Sequence, residues 1–573
     1  MRKIPYGVSN FPLIRREDYL YVDKTHFIKE VEKTKTLIHL RPRRFGKSLF
    51  LSMLDSYYDL ATVDKFDDLF SGLHIYESPT VNRNNYYMLR FNFSGIQNVR
   101  EGDLEQGFLN KVKDGVGRFI DKYELDIHID KSNQAADVLA SLIKQFRSLK
   151  LQHKIYILID EYDHFTNAVL AGDGEEFLAL LKRGGFVRSF YEIIKENAEL
   201  EVIERIFITG VMSVTLDSMT SGFNIDTNIT TDKRFTDVMG FSASEVKDML
   251  KMTFFEEGER ENAVQLSLAE QGEVYEIFVD NYNGYMFSPK SDIKVFNSTL
   301  IMYFLKHYLL DKQLPESLVD KNLNQSTTTI ENIVELKNPE QNYEVIRQVI
   351  QNKEVVGELQ DFLDINKKFE EDDAITMLFN IGLLTIKRAG FGTVFEMPNK
   401  IIERIYYQYL SELTMKQATY HISTSRQRNA LRELGEDGKI DALTKLVEGF
   451  LTHISNQNLI KFDEKYVKLI YLMLIYVTDQ FKVYDEFPAG NGYIDILLEK
   501  APASYAKYEV LIELKYIKRK ETTPEVIEKK LRSGMQQIEN YFQDDRISKL
   551  QNLKKFVIVF SGYEAVKVIE LNE

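Results

Sequence analysis

At 573 residues the chain is too long for one hydrophobic core, and roughly 150 residues per domain predicts three or four units. A 44% hydrophobic and 28% charged composition excludes a disordered chain, and the absence of cysteine excludes disulfides and cysteine–zinc sites, as in a reducing cytoplasm. A net charge of −14 excludes avid non-specific nucleic-acid binding by the whole surface, though not a local basic groove.

The amino-terminal stretch MRKIPYGVSNFPL lacks the apolar centre of a signal peptide. The longest continuous apolar run, Leu469 to Val477, has nine residues and is too short to cross a bilayer, so it reads as a buried helix. A cytoplasmic protein without a membrane partner is expected.

The first stretch with legible chemistry is Thr34 to Leu54. The apolar Leu37-Ile38-His39-Leu40 predicts a buried strand, a tight turn follows, and Lys47-Ser48 opens an apolar helical pattern. A strand, a loop and a helix N-terminus in that order form a phosphate cradle, because backbone N–H groups and the positive helix end face the anion. Arg43, Arg44, Phe45, Gly46, Lys47 and Ser48 are therefore the candidate cofactor-binding residues. Lys47 would reach the β- and γ-phosphates of ATP and the Ser48 hydroxyl would ligate Mg²⁺. The pattern G-x-x-x-x-G-K-[ST] is met except at its first position, where Arg41 stands. Arg41 precedes Pro42, which biases it to an extended conformation, so a different backbone path into the loop is expected.

A second strand is predicted at Tyr86 to Phe93. Residues 103 to 150 show helical periodicity, with Ala135, Val138, Leu139, Leu142 and Phe146 on one face. Ile155 to Ile159 then runs into Asp160-Glu161, which describes a buried parallel strand whose carboxyl end opens on a ligand crevice. Asp160 would hold Mg²⁺ through water, and Glu161 would orient or deprotonate the attacking water. Ile206-Phe207-Ile208 predicts another strand, and Thr209 at its end is a candidate γ-phosphate sensor of the kind found in ATPases with an added strand between the two nucleotide motifs.

Residues 230 to 410 read as mostly helical, with Arg234 a candidate trans-acting finger. Helical Asp373 to Leu383 feeds a hairpin with the loop Ala389-Gly390-Phe391-Gly392, the pattern of a winged-helix wing. Such a module either binds DNA or packs against an ATPase; packing is favoured here.

The last third changes character. Tyr493 to Leu498 and Tyr508 to Tyr516 predict strands, and Glu513 and Lys515 share one face because strand side chains alternate. With Asp495 they form an Asp…Glu-x-Lys cluster able to bind Mg²⁺ or Mn²⁺ and to cut a phosphodiester, with Lys515 positioning or deprotonating a metal-bound water. Glu486 would complete the metal shell, and the helix Ser533 to Tyr541 would bring Gln537 over the site. Residues 507 to 534 hold eight Lys/Arg against five Glu, a modest electrostatic footprint for a phosphate backbone. Phe556 to Phe560 predicts a further core strand.

Taken together, YGVSNF, YVDKT, RPRRFGKS, LIDEYD, ITGV, the NGY at Asn283, LFNIGLLTI and MPNKII resemble the AAA-ATPase-like proteins of bacteria and archaea. The carboxy-terminal segment resembles the PD-(D/E)XK nuclease superfamily. The resemblance implies an α/β fold with a P-loop NTPase parallel sheet of the additional-strand type, a helical, winged-helix-like middle and a restriction-endonuclease-like α/β domain. Bounds of 1–230, 231–410 and 411–573 are expected. It places roles on Lys47, Ser48, Asp160 and Glu161, and on Asp495, Glu513 and Lys515. In these relatives arginine at the position of Arg41 is usual, whereas Tyr493 stands where arginine is frequent and Tyr466-Val467 where histidine is frequent. The function expected is an ATP-regulated, metal-dependent nuclease, DNA its substrate ahead of RNA, with self-association and a role in phage defence. The alternative is a nucleotide-switched scaffold with a silent nuclease fold.

Overall fold

The computed structural model describes residues 2–96, 103–163, 185–213, 227–254, 266–315, 317–319, 326–336, 338–361, 369–418, 422–455, 463–502 and 504–571. Met1–Gln313 with Leu318–Glu403 form one compact unit, and Leu314–Ser317 with Arg404–Glu573 form a second. The middle region expected at 231–410 is therefore built almost wholly into the first unit.

The first unit is laid on a five-stranded parallel sheet in the order β2-β3-β4-β1-β5. Its elements run β1 (Thr36–Leu40), α1 (Lys47–Tyr58), β2 (Tyr86–Asn92), α2 (Asp103–Tyr123), α3 (Ala135–Ser148), β3 (Lys154–Asp160), α4 (Gly185–Glu199), β4 (Ile203–Gly210) and β5 (Thr227–Asn228). Every residue of β1 is buried, as for a central parallel strand covered on both faces. Strand β4 lies between β1 and β3, so the additional-strand topology is the one observed. Because the strands are parallel, the ends of β1, β3 and β4 meet at one carboxyl edge, where α/β sheets bind ligands. The helical pattern read over 103–150 is two helices, parted where Glu124 turns to φ +50°.

Beyond the sheet, α5 (Ser298–Asp311) is followed by α6 (Pro339–Asn352), β6 (Glu354–Gly357), α7 (Glu371–Asn380), β7 (Thr385–Gly390) and β8 (Gly392–Glu396). The three strands form an antiparallel sheet in the order β6-β8-β7, a winged-helix arrangement. Residues Ala374 to Asn380 of α7 are all buried and its first turn carries Glu371, Asp372 and Asp373. A helix so enclosed and so acidic has no face for a DNA groove; the module packs inward. Phe379 meets Phe287 edge-on at 6.0 Å, and the Thr385 hydroxyl donates to the Gly284 carbonyl at 3.0 Å. Gly284 has φ +98°, and a Cβ there would lie 1.9 Å from the Pro398 carbonyl oxygen, so only glycine fits. The Asn399 amide donates to the Asn283 carbonyl at 2.8 Å, which explains why the NGY and MPNK stretches occur together.

The end of this unit is pinned by Glu403, which takes Lys353 Nζ at 3.2 Å and Lys400 Nζ at 2.7 Å. Burial alone would raise this carboxyl, but the two ammonium groups override it and hold it down at about 2. The ionised form therefore stabilises the fold above the ordinary value of 4.5, and that contribution disappears as pH falls from there towards about 2. Glu403→Gln is expected to cost on the order of 2–3 kcal/mol at neutral pH. In urea melts the gap to wild type should narrow steadily on acidification.

The second unit centres on a mixed five-stranded sheet, β13-β12-β11-β10-β9. Helix α8 (Glu464–Ile475) precedes β9 (Phe481–Ala489), β10 (Gly492–Lys500) and β11 (Glu509–Ile517); α9 (Pro524–Tyr541) crosses over to β12 (Leu553–Ser561), and β13 (Glu564–Glu570) closes the edge. The first three strands are antiparallel neighbours, and β11 pairs with β12 in parallel through the α9 crossover. The core beneath α9 is apolar, with Leu531, Ile538, Leu511 and Val557 packed together. Strands β9 and β13 go unread in the sequence; β9 is an edge strand carrying Pro488, which blurs its pattern.

Candidate nucleotide and phosphodiester sites

In the first unit the loop after β1 turns through Arg44 at φ +73° and Gly46 at φ +92° before α1 begins. Its shape is held from outside. Thr299 at the start of α5 donates its hydroxyl to the Arg44 carbonyl at 2.7 Å, and the Gly240 N–H bonds the Phe45 carbonyl at 2.8 Å. Phe45 is buried, edge-on to Tyr285 at 4.9 Å and to Phe287 at 5.4 Å. Residues Arg43 to Phe50 and Glu161 line a cavity of about 400 Å³ that continues to Tyr6, Val8, Leu20, Tyr21, Met239 and Met302. The YGVSNF and YVDKT stretches thus meet the loop at one cavity, through Tyr6 to Ser9 and through Tyr21, Val22 and Lys24.

Lys47 is buried, and its Nζ donates to the Arg41 and Pro42 carbonyls at 2.9 Å each. Burial lowers it to about 8, against the pull of Asp163, Asp160 and Glu161. Asp160 is fully buried, and neither oxygen receives a hydrogen bond of good geometry. Burial raises its carboxyl, opposed by the Ser48 hydroxyl and by Arg90, whose Nη2 lies 3.8 Å away. A buried carboxylate left this way is strongly unfavourable unless a cation completes it, so the donor set of Asp160 and Ser48 fits a hard divalent ion. Glu161 beside it holds a left-handed φ of +50°, strain of the sort that collects at functional positions.

Two residues outside the sequence reading join this group. Arg90 reaches Asp160 because Asn92 and Asp160 are in register across β2 and β3. Asp163 accepts the N–H groups of Val211 at 3.0 Å and Met212 at 2.6 Å, fixing the end of β4 against the turn after β3. A Cβ on Gly210 would stand 2.3 Å from the Asp163 carboxylate, which accounts for the glycine in ITGV.

One expectation needs correction. Thr209 is fully buried and its hydroxyl donates to the His39 carbonyl at 2.8 Å, so it braces β4 on β1 and does not line the cavity. The Arg41 side chain is engaged elsewhere. Its guanidinium donates to the carbonyls of Leu40, Thr230 and Phe235 at 2.7–3.0 Å and lies over the Phe287 ring at 4.1 Å. Arg41→Gly, which restores the general loop consensus, is therefore expected to cost roughly 3 kcal/mol of stability by orphaning buried carbonyls. A fall in thermal midpoint with no gain in nucleotide affinity is the expected reading. Arg234 pairs with Asp232 at 2.6 Å on the surface of its own unit.

In the second unit the strand register aligns acidic side chains. The β9/β10 register pairs Phe487 with Ile494 and Asp485 with Ile496, but the Glu486 backbone between them takes a left-handed φ of +55°. The β10/β11 register pairs Ile496 with Ile512, and its continuation sets Asp495 across from Glu513. Cross-strand neighbours share a face, so Asp495 and Glu513 stand side by side on two strands. Asp495 accepts the Leu514 N–H at 2.8 Å, Lys515 Nζ lies 2.6 Å from Glu513 Oε1, and the Tyr541 hydroxyl of α9, which donates to the Tyr493 carbonyl at 2.7 Å, lies 3.2 Å from Glu513 Oε2. Burial raises both the Asp495 and the Glu513 carboxyls; the Asp495 charge raises Glu513 further, and Glu464 raises Asp495. For Lys515 burial works downward, but Glu513 outweighs it and raises the ammonium.

Glu486 departs from its expected place in a metal shell. Its carboxylate is 59% exposed and bonded to Lys468 Nζ at 2.7 Å. Among the described residues no group of three or more His, Asp and Glu side chains is gathered to hold an ion. The donor set that remains, Asp495 and Glu513, suits an ion that keeps most of its waters, as Mg²⁺ does. Gln537 lies on the α9 face that also carries Gly534 and Tyr541, both of which meet Glu513, and its Oε1 is buried with no partner. Sequence reading leaves out Tyr541, Lys468 and Glu464; the four-residue spacings Gln537–Tyr541 and Glu464–Lys468, each a helix-face repeat, were the available signal.

Comparison with known proteins agrees with this geometry. Residues 5–220 match the family model described as Predicted AAA-ATPase, and residues 462–570 match that of the PD-(D/E)XK nuclease superfamily. A protein of Azotobacter chroococcum mcd 1, described as an uncharacterized protein in the vnfD 5' region, is 29% identical over 247 residues, or 43% of this chain. The aligned part spans 44% of that protein, less than half its length. No helix among the described residues is long and apolar enough to cross a membrane. The chain joins an amino-terminal domain of the predicted AAA-ATPase family to a carboxy-terminal domain of the PD-(D/E)XK nuclease superfamily.

Proposed function

We propose that the amino-terminal unit binds and hydrolyses ATP with Mg²⁺, and that the carboxy-terminal unit is a metal-dependent phosphodiesterase acting on nucleic acid. In the first unit Lys47 exchanges the Arg41 and Pro42 carbonyls for the β- and γ-phosphates. Ser48 and Asp160 hold the ion, and Glu161 orients the attacking water. In the second, Asp495 and Glu513 hold a divalent ion, which when bound supplies Lewis-acid and water-activating chemistry. Lys515 Nζ, fixed on Glu513 Oε1, carries or withdraws the proton of the attacking water and stabilises negative charge on the phosphate. Tyr541 lies against the second Glu513 oxygen and ties α9 to the Asp495 strand through the Tyr493 carbonyl. Foreign DNA, as in phage defence, is the target class proposed.

The observation that supports this reading most is the meeting of Asp495, Glu513 and Lys515 on one sheet face, 2.6 Å separating the last two. The test is incubation of the purified chain with linear, circular and single-stranded DNA and with RNA, with Mg²⁺ or Mn²⁺, with and without ATP. Metal-dependent scission of any of them supports the proposal. ATP binding without scission of any substrate would leave a nucleotide-switched scaffold in its place.

A further inference from the structure

A second cavity, of about 390 Å³, lies in the first unit between α1, the edge strand β2 and α2. Its charged lining is Arg90 from β2, Arg118 and Lys122 from α2, and Asp55 from α1, three cations to one carboxylate. Gly115 sets the cleft. A Cβ there would stand 2.6 Å from the Phe91 ring and 3.0 Å from the Arg90 carbonyl oxygen, so α2 lies close on β2. Arg118 and Lys122 follow on the same helix face, one turn apart.

These cations are incompletely answered by the protein. Arg118 is exposed and has no ion-pair partner among the described residues. Lys122 Nζ meets Asp59 Oδ2 at 2.5 Å and stands 3.6 Å from Asp55 Oδ1. Arg90 is suspended between two carboxylates, Nη1 3.9 Å from Asp55 Oδ2 and Nη2 3.8 Å from Asp160 Oδ2. Neither distance is a hydrogen bond. Like charges one turn apart destabilise a helix, and a cleft lined by one sign of charge gathers the opposite ion. Two guanidinium forks and an ammonium suit a phosphate, which takes paired, charge-assisted bonds from the forks. Asn92 adds an amide donor, its Oδ1 engaged by the Ser94 N–H at 2.8 Å. Met88 and Phe119 supply apolar wall, and the volume is that of a small-molecule pocket, so the phosphate's carrier has room beside it.

We propose that this cavity binds a small organic phosphate, its phosphate among Arg90, Arg118 and Lys122, and that Arg90 couples its occupancy to the ion at Asp160. The coupling rests on the reading of Asp160 as a Mg²⁺ ligand; the anion site does not. Arg90 is repelled by an ion on Asp160 and so is freed for the phosphate. Drawn to the phosphate, it leaves the buried Asp160 carboxylate uncompensated and in greater need of the ion. Each ligand therefore tightens the other by the same factor.

The experiment is calorimetric titration of ribose 5-phosphate, and separately of inorganic phosphate, into the full chain. Wild type, Arg118→Gln and Arg90→Gln are compared, first without divalent ion and then with Mn²⁺ and a non-hydrolysable ATP analogue. The expected result is a site for ribose 5-phosphate that is about tenfold or more weaker in Arg118→Gln. In wild type it tightens about fivefold when Mn²⁺ and the analogue are bound, and in Arg90→Gln it does not. No binding of either anion, or an affinity unchanged in Arg118→Gln, would overturn the proposal. Inorganic phosphate binding as tightly as the sugar phosphate would overturn the organic ligand. A site that ignores Mn²⁺ and the analogue, although both bind, would overturn the coupling. Failure of the analogue to bind at all would instead overturn the nucleotide reading and the coupling with it, while the titration without ions still decides the anion site.

Discussion

Lys515→Ala is expected to lower strand scission by about 10³-fold or more, while Mn²⁺ affinity changes little. The ammonium is not a metal ligand; it is held at 2.6 Å from Glu513 Oε1 and 2.8 Å from the Leu514 carbonyl, with its charge raised by Glu513 against the pull of burial. Losing it removes the group that carries a proton or stabilises charge on the phosphate, and leaves Glu513 free to bind the ion as before. Lys515→Arg should not rescue, because a planar fork cannot occupy the place of a compact ammonium between Glu513 and its own strand. Single-turnover cleavage measured beside a Mn²⁺ titration separates the two effects. Equal loss of metal binding and of cleavage would mean that Lys515 serves only to hold Glu513.

Lys47→Ala is expected to weaken ATP binding by roughly 10²-fold, about 3 kcal/mol, with a smaller effect on stability. Its two carbonyl partners belong to the same loop, so the ammonium is held where an arriving phosphate meets it. Those contacts are neutral and exchangeable, and a triphosphate replaces them with charge-assisted bonds. Fluorescent-nucleotide titration of wild type and variant, with the thermal midpoint as a control for folding, reads this directly. An unchanged affinity would place the phosphates elsewhere in the cavity and remove the loop from the nucleotide site.

The parts of the fold that carry strong local chemistry were legible in the sequence. The run from Thr34 to Leu54 gives a strand, a loop and a helix, and all three are present as β1, the Arg44–Gly46 turn and α1. Ile155 to Asp160 reads as a buried strand because both faces are apolar, and it is fully covered apart from Lys154. The helix-to-hairpin pattern of 373–397 gives the wing, and its inward packing follows from an α7 buried throughout from Ala374 to Asn380. What could not be read depends on partners far along the chain. The place of Arg41 is set by the Thr230 and Phe235 carbonyls, 189 and 194 residues away, so no local pattern shows that its side chain braces the sheet.

The same limit governs the candidate site residues. Thr209 stands at the correct strand end, but its hydroxyl has a nearer acceptor in the neighbouring strand than anything in the cavity. Glu486 lies on the strand next to that of Asp495, yet its backbone turns left-handed and a lysine on a helix 18 positions earlier takes its carboxylate. Strand pairing can be inferred from alternation, whereas which cation reaches a carboxylate first depends on how a helix docks. The cavity walls at Tyr6 and Val8 fall in the YGVSNF stretch, whose chemistry alone assigns it no role, so their place became visible only in the fold.

The most direct test of the account is strand scission by the purified wild-type chain and by Asp495→Asn on the same substrate, in Mn²⁺ and after chelation. Asp495 stands across from Glu513 and is hydrogen-bonded to the backbone between Glu513 and Lys515. The account predicts scission by wild type that needs the ion and is absent from a folded Asp495→Asn protein. Scission of equal rate in the variant, or in wild type stripped of divalent ions, would contradict it.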